Sequence, residues 1–129
     1  EIFPRLTVEE NLRMGMAAGG KEELSLAEYA ADLSAGIDGI RQRGSARPGD
    51  KTMIDGLVPA IVGAESGADI ADALAKAAAG SLKGAEATAN MIATTGKAKA
   101  LGERSRGHMD PGAITLSIVL GALSESAKA

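Results

Sequence analysis

The chain has 129 residues, a net charge of −3, no Cys or Trp, and one each of Phe and Tyr. That length suits one domain with a real core, which must be built from Ala, Leu, Ile, Val and Met. Without Cys there are no disulfides, Cys-ligated zinc sites or Cys nucleophiles, and without a basic stripe interleaved with aromatics a nucleic-acid partner finds no support.

Helix signals recur and strand signals are nearly absent. Thr7-Val8-Glu9-Glu10 is a capping box opening a short helix that Gly15 and Gly19-Gly20 close. Ser25-Leu26-Ala27-Glu28 opens a second helix, in which Leu26, Tyr29, Ala30, Leu33, Ile37 and Ile40 keep helical spacing and Gly44 follows as the C′ glycine. Asp50 is expected to cap a third helix with Met53, Leu57, Val58, Ile61 and Val62 on its inner face, and Pro59 to kink or split it. An Ala-rich helix follows from Ala68 to about Thr94, with Ile70, Leu74, Leu82, Met91 and Ile92 as its larger apolar residues. Gly80 and Gly84 weaken that helix by roughly 1 kcal/mol each against Ala, which a close crossing by a neighbouring helix would justify.

Asp110 reads as the N-cap of a last helix with Pro111 at N1 and a buried stripe of Ile114, Ile118, Val119 and Leu123. The longest apolar stretch, Ile114 to Leu123, is interrupted by Thr115, Ser117 and Gly121 and is too short to cross a membrane. No signal peptide is visible, and the lack of Cys fits a cytoplasmic chain. The chain opens at Glu1 rather than Met, which points to a fragment or a processed form. The expected fold is all-α, an antiparallel bundle of about five helices.

Two loops rich in Gly and charge each run into a helix: Arg43 to Met53, and Leu101 to Ala113. Such a junction offers free backbone N–H groups and a positive dipole end, and phosphate is the usual anion there. The first loop nearly matches the Walker pattern G-x-x-x-x-G-K-[ST], but Asp50 intervenes between Gly49 and Lys51-Thr52, and a helix rather than a strand precedes it. That motif is rejected. The plainer alternative is a helix–turn–helix connector. The second loop carries Glu103, Arg104, Ser105, Arg106, His108 and Asp110 within eight residues. A single His makes no metal cluster, and nothing in the spacing fixes Glu103 and Asp110 as an acid/base pair.

Taken together, Arg43-Gly44, Pro48-Gly49-Asp50-Lys51-Thr52-Met53-Ile54-Asp55 and Val58-Pro59, followed by Gly102-Glu103-Arg104-Ser105, Gly107-His108 and Asp110-Pro111-Gly112-Ala113, resemble the nucleotide-binding L subunit of dihydroxyacetone kinase. The resemblance runs from about Leu24 to the C-terminus and corresponds to the second half of that family's domain. It implies an all-helical antiparallel barrel, here partial, with ADP or ATP held at one rim. It also implies a kinase component that presents a phosphoryl group to dihydroxyacetone on a partner K subunit, or takes phosphate from a phosphotransferase-system carrier.

At matching positions, Gly44 and Met53 fall beside the adenine nucleotide and Thr52 is placed to donate to a phosphate. Asp110, Pro111 and Gly112 match a nucleotide-contacting helix start. Lys97, within Thr95-Gly96-Lys97-Ala98, stands where the family usually has Arg, keeping the charge without the bidentate fork. The family's first half carries a Gly-Asp-x-Asp-x-Gly motif whose aspartates hold Mg²⁺. This sequence has no such motif, so the chain alone is expected to be inactive.

Residues 1–16 resemble a short segment of the ATP-binding subunits of branched-chain amino acid ABC transporters. The expected organisation is therefore an N-terminal helix and linker of different origin over residues 1–20, and the nucleotide-binding helical domain over 21–129. The alternative to a kinase component is a non-catalytic helical module that self-associates. For one nucleotide to be held by both loops, the turns ahead of Met53 and Ala113 must meet in space.

Overall fold

The computed structural model describes residue 31, residues 34–39, residue 42 and residues 44–127. The helix expected after Thr7, most of the one after Ser25 and the boundary at residue 20 lie outside the described residues. Residues 34–39 are helical, as the second capping box predicts, and Ile37 is buried. Three longer helices follow, α1 (Met53–Glu65), α2 (Ile70–Ala87) and α3 (Pro111–Ser126), with 3₁₀ turns at Thr88–Asn90 and Lys97–Ser105. No strand occurs among the described residues, and no helix among them is long and apolar enough to cross a membrane. The fold is all-α.

Helix starts follow local chemistry. Thr52, not Asp50, caps α1. Its hydroxyl accepts from the Ile54 amide at 3.2 Å, and the Asp55 carboxylate accepts from the Thr52 amide at 2.8 Å. This is a capping box of the Thr-x-x-acid type, and it wins over Asp50 because both orphan amides are satisfied reciprocally. Asp69 caps α2 by accepting from the Asp72 amide at 2.9 Å, while Asp72 accepts from Ala68 and pairs with Lys76 at 2.7 Å. Asp110 caps α3 with Pro111 at N1, as expected.

Small residues form the seams between helices. α2 turns Ala73, Ala77, Ser81, Gly84 and Ala85 inward, and α3 turns Ala113, Ser117, Leu120 and Ser124 inward. The expected stripes of large residues are therefore corrected. Ile118 and Val62 are 66 % and 62 % exposed, and Met53, Leu82 and Val119 are exposed as well. The reason is backbone proximity. A methyl at Gly84 would overlap the Asp55 carbonyl oxygen, one at Gly80 the Pro59 carbonyl, and one at Gly63 the Lys76 carbonyl. Axes that close leave room only for Gly, Ala and Ser, so larger side chains move to the flanks. The core that remains groups Ala60, Ala64, Ala77 and Leu120, with Leu57, Ile61 and Ile37 beside it.

Pro59 does not split α1, which runs unbroken from Met53 to Glu65. A proline there frees the carbonyl four residues back, that of Asp55. The glycine notch at Gly84 lies directly against that carbonyl, so the free acceptor faces a close-packed backbone. α2 ends earlier than the Ala-rich run predicts, at Ala87 instead of near Thr94. The buried Thr88 hydroxyl bends back to the Ala85 carbonyl at 2.5 Å, and Met91 is already extended. Met91 and Ile92 thus leave the helix and belong to the loop region that forms the site.

Candidate functional site

The turn ahead of Met53 and the turn ahead of Ala113 meet. A methyl built on Gly112 would lie 3.5 Å from the Met53 Cβ and 3.7 Å from its backbone nitrogen, so the N-termini of α1 and α3 abut. Beside them opens a cavity of about 440 Å³, within the roughly 300–1,000 Å³ usual for small-molecule sites. It is lined from three segments: Ala46 and Lys51 to Ile54 from the first loop, Thr95 to Ala98 from the middle loop, and Asp110 to Gly112 from the last helix start.

Six of the seven residues singled out in the sequence line it: Thr52, Met53, Lys97, Asp110, Pro111 and Gly112. Gly44 does not. It lines a neighbouring cavity of about 400 Å³ with Ser45, Ala46, Arg47 and Pro48, and Ala46 borders both.

The electrostatics of the main cavity favour an anion. Residues at two helix N-termini line it together, and such ends carry partial positive charge. Ala113 donates to the Asp110 carboxylate at 2.8 Å and Ile114 to the Asp110 carbonyl at 3.0 Å. The Met53 and Gly112 amides keep no hydrogen-bond partner among the described residues. Lys97 adds an exposed cation at the start of its 3₁₀ turn, behind Gly96 at φ 64.

A polar network fixes the three segments. The Asp110 amide donates to the Thr88 hydroxyl at 2.8 Å, which ties the start of α3 to the end of α2. Asp55 receives the Gly49 amide at 2.5 Å besides capping α1. Thr94 donates its hydroxyl to the Asp50 carboxylate at 2.5 Å and its amide to the Asp50 carbonyl at 3.3 Å. Ser105, buried, accepts from the Ala93 amide at 3.0 Å and donates to the Gly102 carbonyl at 2.7 Å. Thr88 escapes a sequence reading, and Ser105 is noted there only as part of the polar loop, because a lone hydroxyl in an Ala-rich or charged stretch gives no sign of burial. Gly96 carries a readable signal, a glycine interrupting a polar run, but nothing local reveals its left-handed backbone. His108 is exposed, and Glu103 pairs with Arg106 at 3.4 Å on the surface, so neither forms a buried acid/base site.

The Thr94 hydroxyl, then the Arg47 amide, hold the Asp50 carboxylate below its ordinary 3.8 against a smaller opposing effect of desolvation, with the Arg47 charge adding least. A depressed acid stabilises the fold above its ordinary pKa and loses that contribution as pH falls through the lowered value. The latch between Asp50 and Thr94 should therefore hold at neutral pH and release only below about pH 4. Following the Thr94 amide and the Asp50 carboxyl by NMR over an acid titration checks this. Release between pH 5 and 7 would contradict it.

The profile of the DAK2 domain matches residues 12–125, nearly the whole chain. The chain belongs to the DAK2 domain family. Among its curated relatives, the ADP-binding subunit DhaL of the PEP-dependent dihydroxyacetone kinase of Escherichia coli (strain K12) is 36 % identical over 91 % of this chain and 58 % of its own length. The L-erythrulose 1-kinase of Mycolicibacterium smegmatis is 43 % identical over 72 % of this chain and 17 % of its own. Human triokinase/FMN cyclase is 35 % identical over 81 % of this chain and 19 % of its own. The chain thus spans little more than half of the DhaL subunit and under a fifth of the two longer enzymes. The likeness to the dihydroxyacetone kinase L subunit holds, whereas the short transporter resemblance of residues 1–16 finds no support in these matches.

Proposed function

We propose that this chain is the nucleotide-binding part of a dihydroxyacetone-kinase-type phosphotransferase. ADP or ATP occupies the cavity between α1 and α3, with its phosphates toward the Met53 and Gly112 amides, the Thr52 hydroxyl and the Lys97 ammonium. The observation that carries this reading is the abutment of two helix N-termini with unpartnered amides at one cavity in a DAK2-family chain. The relative from E. coli is, by its name, an ADP-binding subunit of a PEP-dependent kinase. By that analogy the bound nucleotide's phosphoryl group is presented in the cytoplasm to dihydroxyacetone on a K subunit, or is replenished by a phosphocarrier protein.

Positioning and charge neutralisation are most of phosphoryl-transfer catalysis, and Mg²⁺ supplies much of the second. Among the described residues no three His, Cys, Asp or Glu side chains gather where they would hold a metal ion. Mg²⁺ at such sites is held by one or two carboxylates together with the substrate phosphates, and no step through the ion is assigned to these residues. The role proposed for these residues is nucleotide binding.

Calorimetric titration with ADP tests the site. The parent should bind, and Thr52→Ala and Asp110→Ala should each weaken binding about tenfold, the first by removing a phosphate donor and the second by loosening the turn that aims the Gly112 amide. Loss of an N-cap costs about 1 kcal/mol, so helix content by circular dichroism accompanies the titration. Variants that bind as the parent does, or a parent that does not bind, would refute the assignment.

A second reading, a self-associating module without catalysis, has one observation in its favour: Val62, Leu82 and Ile118 expose large aliphatic surface. Sedimentation at several concentrations separates the readings, and a monomer throughout counts against the second.

A further inference from the structure

Lys51 is a charged residue turned away from solvent beside the cavity. It is 5 % exposed, and it and Asp55 are the buried charged residues among those described. Its ammonium donates to two backbone carbonyls, Met91 at 3.1 Å and Ser105, which are 40 and 54 residues further along the chain. Among the described residues no carboxylate lies within ion-pair reach of it. Its backbone has φ 61, and Lys51 is the one non-glycine residue among those described in that left-handed region. Such a conformation persists only where the surroundings over-determine it.

The two acceptors define what the contact does. Met91 ends the turn that follows α2, and Ser105 ends the 3₁₀ turn Lys97–Ser105. Between them runs the segment that supplies Thr95, Gly96, Lys97 and Ala98 to the cavity. One ammonium therefore gathers both ends of that segment. It does so from the residue immediately ahead of the α1 cap, Thr52, which lines the same cavity. The left-handed turn at residue 51 lets the cap face the cavity while the side chain reaches beneath its wall.

We infer that Lys51 is a positioning residue: by pinching the 91–105 loop at its base, it fixes the Thr95–Ala98 wall against the N-terminus of α1. It does not take the place of a Walker lysine, because its ammonium is engaged by protein carbonyls. The consequence for ligand affinity rests on the nucleotide reading above, whereas the ordering of the wall does not.

The test uses the full chain and three substitutions. Lys51→Met keeps the stem and removes the ammonium. Lys51→Gly removes the ammonium and relaxes the left-handed backbone. Lys51→Arg restores a cationic donor. Leu120→Ala, in the core group with Ala60, Ala64 and Ala77, serves as a control for general destabilisation. Amide hydrogen exchange is read at Ala93, Thr94 and Lys99, whose amides are bonded within or onto the loop, relative to Ala77 inside α2.

Lys51→Met and Lys51→Gly should each raise exchange at the loop amides at least tenfold relative to Ala77. Lys51→Arg should recover part of the protection, and Leu120→Ala should leave the ratio unchanged. ADP affinity should fall about tenfold in Lys51→Met and Lys51→Gly. Unchanged relative exchange in both, the same pattern from Leu120→Ala, or global unfolding of both Lys51 variants while Leu120→Ala folds would overturn the inference. Loop exchange that behaves as expected in a chain that fails to bind ADP supports the clip and removes the nucleotide reading instead.

Discussion

Gly84→Ala should destabilise the bundle by about 2–3 kcal/mol, although alanine in an isolated helix is favoured over glycine by about 1 kcal/mol. The sign reverses because the new methyl would overlap the Asp55 carbonyl oxygen and approach Pro59 Cγ at 2.9 Å and Gly56 Cα at 3.0 Å. Two of those three atoms are backbone and the third belongs to a rigid ring, so none can swing aside. Relief requires α1 and α2 to separate, and these helices form the most extensive contact in the fold. Gly121→Ala is the matched control, since a methyl there meets nothing within 4 Å and α3 gains propensity. In thermal unfolding the first variant should melt lower by roughly 4–8 °C for each kcal/mol of destabilisation, and the second should melt at or above the parent. Equal stability of the two variants would show that the helices do not cross as closely as described.

The second large effect lies at Lys97. Lys97→Glu should weaken ADP binding by roughly 10- to 100-fold, the range expected when repulsion replaces a charge-assisted bond to phosphate. The residue is exposed at the cavity edge, so the effect should shrink as salt rises. Adenosine, which lacks phosphates, should bind the variant and the parent alike. Lys97→Arg should bind ADP at least as well as the parent, because a guanidinium restores the two-pronged contact that an ammonium cannot make. Calorimetry with ADP and adenosine on the three proteins reads all of this. An unchanged ADP affinity in Lys97→Glu would remove Lys97 from the site.

These two positions show what could be read from the chain. The glycines at 80 and 84 were legible as a close crossing, because glycine inside an Ala-rich helix demands a reason. The all-α class and the cap at Asp110 were legible from Pro111 and from helical spacing. Which side chains are buried was not. Hydrophobic periodicity weights large residues, yet the seams between these helices select for smallness, so Ile118 and Val62 point outward while Ser117, Ser81 and Ala60 are buried.

The site was half legible. The two turns could be picked out locally, as Gly-rich segments ahead of helices, and the family resemblance nominated residues within them, but their meeting depends on hydrogen bonds spanning 22 to 54 residues. Lys51 illustrates the limit. The near-Walker pattern around it is rejected on its spacing, but nothing local shows that its backbone is left-handed or that its ammonium is buried on the Met91 and Ser105 carbonyls.

One cavity must serve one ligand from two helix starts. Titrating ¹⁵N-labelled chain with ADP and following the amides of Met53 and Gly112 addresses this most directly. Both signals should move together, along with Thr95 to Ala98, and fit a single dissociation constant. Movement of one helix start without the other, or two distinct affinities, would contradict it.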